Sequence, residues 1–140
     1  MQYHIQTTPI WDSFKERDGC PACRLLAATE ARFVAQYLGE GVMEPDYRVR
    51  VNKTGFCARH LSALFAGQNK LGLALQVNTR TAHIIDKLSL LYTEKDAKKQ
   101  AAALKKTLDT CVICEETEEI MIRYAQTIAQ MFRYEREFPR

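Results

Sequence analysis

The feature that most constrains this chain is a pair of short cysteine-bearing corners. Asp18-Gly19-Cys20-Pro21-Ala22-Cys23 supplies two thiols, and Gly55-Phe56-Cys57-Ala58-Arg59-His60 supplies a thiol and an imidazole. Two intervening residues let the backbone turn so that both donors of a corner face one point, about 2.3 Å from an ion for sulfur. Cys-x2-Cys followed by Cys-x2-His is the pattern of a closed tetrahedral zinc site. Gly19 and Pro21 suit a tight turn, and Gly55 suits a chain reversal that aims Cys57 and His60. If Cys57 opens a helix, His60 lies one turn on along the same face. The expectation is one metal ion held by Cys20, Cys23, Cys57 and His60. Zinc leads, because an iron–sulfur cluster usually takes four cysteines. Four protein ligands leave no open position for water or substrate, so the expected role is structural.

A third corner, Cys111-Val112-Ile113-Cys114, echoes the first. A shift of 91 positions carries Cys20 and Cys23 onto Cys111 and Cys114, and Arg32-Phe33 onto Arg123-Tyr124. This points to internal duplication. Cys111 and Cys114 read as half of a second metal site. The alternatives are inert thiols, or a redox pair favoured by a helix N-terminus but lacking a βαβ context. The same shift carries Gly55, Cys57 and His60 past Arg140, so the half-site is expected to lack its partners within this chain. The last helix, with Met121, Tyr124, Ile128 and Met131 at helical steps, is then expected to expose an apolar strip through Tyr124, Ile128 and Met131. Such a strip favours a homodimer.

The chain in order reads as all-α. Residues 1–8 form an extended arm, and Thr8-Pro9 starts a helix carrying Ile10, Trp11 and Phe14. A second helix runs from Pro21 to about Leu38, with Leu26, Phe33 and Tyr37 on one face. Tyr47 to Asn52 alternates like a strand but has no partner strand, so residues 42–54 are expected as a short helix or an irregular segment. Residues 57–66 form a short helix closed by Gly67. From Asn69 to about Thr93 an amphipathic helix is expected to bury Leu71, Leu75, Asn78, Ala82, Ile85 and Tyr92. Residues 94–109 are strongly helix-forming and either continue it or stand alone. Trp11, Phe14, Phe33, Tyr37, Phe56 and Phe65 read as core.

By length this is one domain. Residues 1–67 read as a first metal-binding half, 68–110 as connecting helices and 111–140 as the start of a second half. No run approaches the roughly 18 apolar residues of a membrane span. Met1 to Ile5 lacks the basic and apolar regions of a secretory signal. A cytoplasmic location is expected, where five cysteines are reduced ligands rather than disulfides. A net charge of +3 is too mild to imply nucleic acid or an acidic membrane. Lys95, Lys98, Lys99, Lys105 and Lys106 are accompanied by Glu94, Asp96 and Asp109, as on a solvated helix face. His83, beside Ile84, reads as structural, and His4 has no ligand-like neighbour. There is no glycine-rich phosphate loop, no nucleophile elbow and no paired carboxylates, so no hydrolytic or transfer activity is expected. The resulting expectation is a zinc-stabilised binding or scaffolding module for an unknown protein partner. A thiol-based redox or metal-sensing role for Cys111 and Cys114 is the alternative.

Several stretches together resemble a bacterial family of unknown function. They are Tyr3-His4-Ile5 through Trp11 and Phe14, the Cys20–Cys23 knuckle, Tyr37-Leu38-Gly39-Glu40, Val51 through His60, and Lys70 through Leu75. The resemblance spans essentially the whole chain. It implies a helical, metal-ligand-bearing intracellular protein with repeated Cys-x-x-Cys and Gly-Phe-Cys-x-x-His half-sites, and it implies no particular reaction. Members of that family run longer, with a second Gly-Phe-Cys-x-x-His after the second Cys-x-x-Cys, so the resemblance leaves the second site in this chain incomplete.

Overall fold

The computed structural model describes residues 7–91 and 96–139. Among them the backbone forms seven α-helices and one 3-10 turn, with no strand, so the chain is all-α. The order is α1 (Thr7–Lys15), α2 (Pro21–Leu38), the 3-10 turn (Glu40–Val42), α3 (Pro45–Thr54), α4 (Ala58–Ala66), α5 (Lys70–Leu90), α6 (Ala97–Leu108) and α7 (Val112–Tyr134). Pro21 and Pro45 open their helices, where the missing N–H has no intrahelical partner to lose. The Asn69 side chain caps α5 by accepting the Gly72 N–H at 2.8 Å. Tyr47 to Asn52 lies in α3: without a partner strand, the helix is what satisfies its backbone. The Lys- and Ala-rich stretch forms a separate helix, α6. Residues 1–6 of the expected arm, with His4, Tyr92, Glu94 and Lys95, lie outside the described residues.

The structure divides into two compact units. One comprises the residues up to Arg32 together with those from Glu115 onward, and the other is Phe33–Cys114. In the first, Ile10, Leu25, Tyr124, Met131 and Phe138 form a buried cluster. Trp11, Phe14 and Ile128 pack around it, and the Trp11 and Phe14 rings meet Phe138 at centroid distances of 5.2 and 4.8 Å. Two expectations change here. Tyr124 and Met131 are only 5% and 3% exposed, so the strip expected to drive dimerisation is covered within the unit. Leu25, not Leu26, is the leucine that the first turns of α2 bury, and it lies in line with Thr29 at a step of four. Thr29 is tolerated inside because its hydroxyl donates to the Leu25 carbonyl at 2.7 Å.

In the second unit, α3 packs on α5, α6 and the 3-10 turn, and α5 also packs on α4 and α6. Tyr37, Val51, Leu64, Leu73, Leu104 and Ile113 are buried. The Tyr37 ring meets Tyr47 and Phe56 edge-on, at 5.1 and 5.7 Å. The inward face of α5 is not the expected one. Leu71 and Ile85 are 71% and 55% exposed, while Gly72, Leu73 and Gln76 are buried. The reason lies in unsatisfied helix ends. The last carbonyls of a helix have no intrahelical donor, and three helices end against α5. Asn69 Nδ2 donates to the Leu38 carbonyl at 2.7 Å, and Gln76 Nε2 donates to Tyr37 O, both at the end of α2. The Arg80 guanidinium donates to Asn52 O and Thr54 O at the end of α3 and to Thr107 O at the end of α6. Polar side chains therefore face in, and the apolar stripe faces out. Phe65 is likewise exposed rather than core, with the Lys70 ammonium 4.5 Å from its ring centroid. No helix among the described residues is long and apolar enough to cross a membrane.

Candidate metal centre

Two corners of the second unit converge. The first begins where α3 ends. Gly55 closes that helix with φ +80, a left-handed conformation that side chains with a Cβ rarely adopt. The reversal places Cys57 at the N-cap of α4 in extended conformation, with His60 in the first turn. Their donor atoms then face each other, Cys57 Sγ lying 3.4 Å from His60 Nδ1.

The second corner is the start of α7. Two sets of hydrogen bonds bring it to the first. The Val112 N–H donates to the Gly55 carbonyl at 3.0 Å. The Thr110 hydroxyl lies 2.8 Å from Thr54 O and 2.9 Å from Thr107 O, sharing its proton between them. Arg80 reinforces the same junction, reaching Thr107 O at 2.9 Å and Thr54 O at 3.5 Å. Cys111 Sγ is thereby set 3.2 Å from His60 Nδ1, and Cys114 Sγ 3.4 Å from the same atom. Cys57 and Cys114 sulfurs are 3.9 Å apart, and all four donor atoms lie within 4.8 Å of one another.

These spacings are the fit test for an ion. Tetrahedral bonds of about 2.3 Å to sulfur and about 2.0 Å to nitrogen put sulfurs roughly 3.8 Å apart and sulfur roughly 3.5 Å from nitrogen. The observed contacts match that size. A Cys3His set of this geometry could hold a metal ion. His60 and Cys111 are buried, as are Val112 and Ile113 between the two cysteines, while Cys57 and Cys114 sit half-buried at the rim.

The thiols differ in their readiness to ionise. Burial, then the neighbouring Cys111 and Cys57 thiols, push Cys114 up to about 12. At Cys57 burial also acts upward, but hydrogen bonds from the His60 backbone N–H and from the Cys111 and Cys114 thiols outweigh it and lower the pKa. A cluster of this kind holds one thiolate readily and resists another until a cation supplies the compensating charge.

The ligand grouping expected from spacing is thus corrected. Cys57 and His60 are joined by Cys111 and Cys114, and the cysteines expected as a half-site find their partners within the described residues. Cys20 and Cys23 belong to the other unit, at the exposed start of α2, with the Cys23 N–H donating to Cys20 Sγ at 3.3 Å. Helix geometry accounts for the difference. After the Gly55–His60 corner, α5 leads away and α6 packs back on it, returning the chain to Cys111 beside Gly55. Sequence reasoning missed Arg80 and Thr110, which hold the corners, and Gln76, which holds the end of α2. A visible signal was a Gln and an Arg four residues apart on one helix face.

The chain belongs to a family of unknown function (DUF6062), whose sequence model matches residues 1–140. No curated protein and no solved structure matches the chain.

Proposed function

Because the family has no assigned activity, function must be read from the centre itself, and we propose that this is a zinc-stapled helical binding module. Zinc suits three thiolates and one imidazole in tetrahedral array better than an iron–sulfur cluster does, since such clusters usually take four cysteines. The observation that carries the proposal is the convergence of four donor atoms within 4.8 Å from corners some fifty residues apart in the chain. With all four positions filled by protein, the ion's task is to fasten the end of α3 and start of α4 to the start of α7. The module has no catalytic activity of its own, acts in the cytoplasm and presents surface to a protein partner. The outward face of α5, bearing Leu71, Leu75 and Ile85, supports the binding role.

Structural zinc contributes on the order of 10 kcal/mol of apparent binding energy, comparable with a domain's whole stability. Purified protein should therefore carry one zinc per chain, and chelation should lower its melting temperature sharply. Cys111→Ser should lose the metal and melt like the chelated protein. Full metal content and unchanged melting in that variant would overturn the proposal.

A further inference from the structure

Outside the metal centre, one pair of nucleophilic groups remains unexplained. Cys20 immediately precedes α2: its carbonyl accepts the Arg24 N–H at 3.1 Å, the first intrahelical bond. Pro21 occupies the first helical position and Cys23 the third. Cys20 Sγ accepts the Cys23 N–H at 3.3 Å, as a serine oxygen does at an N-cap. Both thiols are exposed, and neither is in a disulfide. Among the described residues, no third Cys, His, Asp or Glu joins them to make a metal-sized group. The adjoining turn is rigidly built. Gly19 has φ +80, and the Arg24 guanidinium donates to the Ser13, Glu16 and Asp18 carbonyls. A pre-set turn presenting two adjacent, accessible sulfurs differs in kind from the buried Cys3His cluster.

We propose that Cys20 and Cys23 are a redox-active dithiol that exchanges with small-molecule disulfides, Cys20 being the attacking sulfur and Cys23 the resolving one. The inference does not depend on the zinc reading. The chemistry runs in two displacements. The Cys20 thiolate attacks one sulfur of the disulfide RSSR. A Cys20–S–S–R bond forms, the S–S bond of RSSR breaks, and RS⁻ leaves to take a proton from water. Cys23 then gives its proton to solvent and attacks the Cys20 sulfur. The Cys20–Cys23 disulfide forms and a second RS⁻ leaves and is protonated. Two electrons pass from the protein dithiol to RSSR, giving two RSH. The division of labour follows from the local bonds. Hydrogen bonds from the Cys23 thiol and then its backbone N–H lower the Cys20 pKa, whereas the Cys23 thiol, hydrogen-bonded to and facing Cys20, is raised. The thiolate, which is the nucleophile, therefore forms first at Cys20.

The test uses the whole 140-residue chain, metal-loaded, in glutathione buffers of graded reduced-to-oxidised ratio, with acid quench, alkylation and peptide mass mapping. The expected result is joint loss of alkylation at Cys20 and Cys23 while Cys57, Cys111 and Cys114 and the metal are retained. Cys23→Ser should accumulate one glutathione on Cys20, and Cys20→Ser should react several-fold more slowly at Cys23. Because both sites are exposed, these variants should fold with unchanged melting. Three results would each overturn the proposal. They are two thiols that stay alkylatable across the glutathione range, equal trapping in both serine variants, and uptake of added zinc by Cys20 and Cys23 that blocks their oxidation.

Discussion

Arg80 offers the sharpest perturbation of the frame around the metal centre. Its guanidinium serves three backbone carbonyls at once, Asn52, Thr54 and Thr107, joining the ends of α3 and α6. Burial pulls its pKa down, but a guanidinium stays charged at neutral pH. In Arg80→Met the aliphatic volume is largely kept and the donors are lost. The Thr54 and Thr107 carbonyls keep the Thr110 hydroxyl, whereas the Asn52 carbonyl depends on Arg80. A hydrogen bond from a charged donor is worth about 1.5–3 kcal/mol net, and weakening the other two adds roughly 0.5 kcal/mol each. The total is about 3 kcal/mol. At about 4 °C per kcal/mol for a chain of this length, the metal-loaded protein should melt about 12 °C lower. Arg80→Lys keeps the charge but cannot fork to three carbonyls, and should recover about a third of the loss. Metal affinity, read by competition with a chromogenic chelator, should fall in parallel because the two ligand-bearing corners meet at this junction. A drop under about 3 °C in Arg80→Met with unchanged metal affinity would refute the reasoning.

Two further outcomes follow from the same geometry. Gly55→Ala places a Cβ in the left-handed region and within 3.1 Å of Arg80 Nε, so it should cost about 1–2 kcal/mol from conformation alone and also weaken metal binding. Thermal melting with chelator competition checks both. The pH dependence should differ with and without metal. In the metal-free protein Cys114 is raised from 9.0 to about 12, so its contribution is fully present below pH 9 and is lost as pH rises from 9 toward 12. In the loaded protein, thiolates are held by the ion, and stability is lost as pH falls and protons compete for sulfur. Urea unfolding of the metal-free protein between pH 9 and 12 reads the Cys114 contribution, and stability that does not fall across that window would contradict the assignment.

The sequence showed the local chemistry of the corners more clearly than their partnership. Gly55 before Cys57 and His60 was legible because a reversal followed by a helix start needs a residue tolerant of positive φ, and Gly55 has φ +80. The all-α class was legible from periodicity and the absence of paired strands. Which Cys-x2-Cys meets Cys57 and His60 was not, because spacing inside a corner says nothing of how far intervening helices carry the chain. Nearness in sequence favoured Cys20 and Cys23, but the excursion and return through α5 and α6 bring Cys111 and Cys114 instead. The α5 stripe misled for a related reason. Leu71 and Ile85 follow the helical period, yet the burial of Gln76 and the position of Arg80 are set by carbonyls at the ends of other helices, which no single-helix pattern contains.

The most direct test is X-ray absorption at the metal edge of the loaded protein, in the native chain and in two sets of variants. The native spectrum should fit three sulfurs at about 2.3 Å and one nitrogen at about 2.0 Å. The Cys20→Ser/Cys23→Ser double variant should give the same spectrum and the same metal content. Cys111→Ser and Cys114→Ser should each lose sulfur from the first shell or lose the ion altogether. A double variant that loses metal or sulfur, beside Cys111→Ser and Cys114→Ser spectra identical to the native one, would contradict the Cys57–His60–Cys111–Cys114 centre.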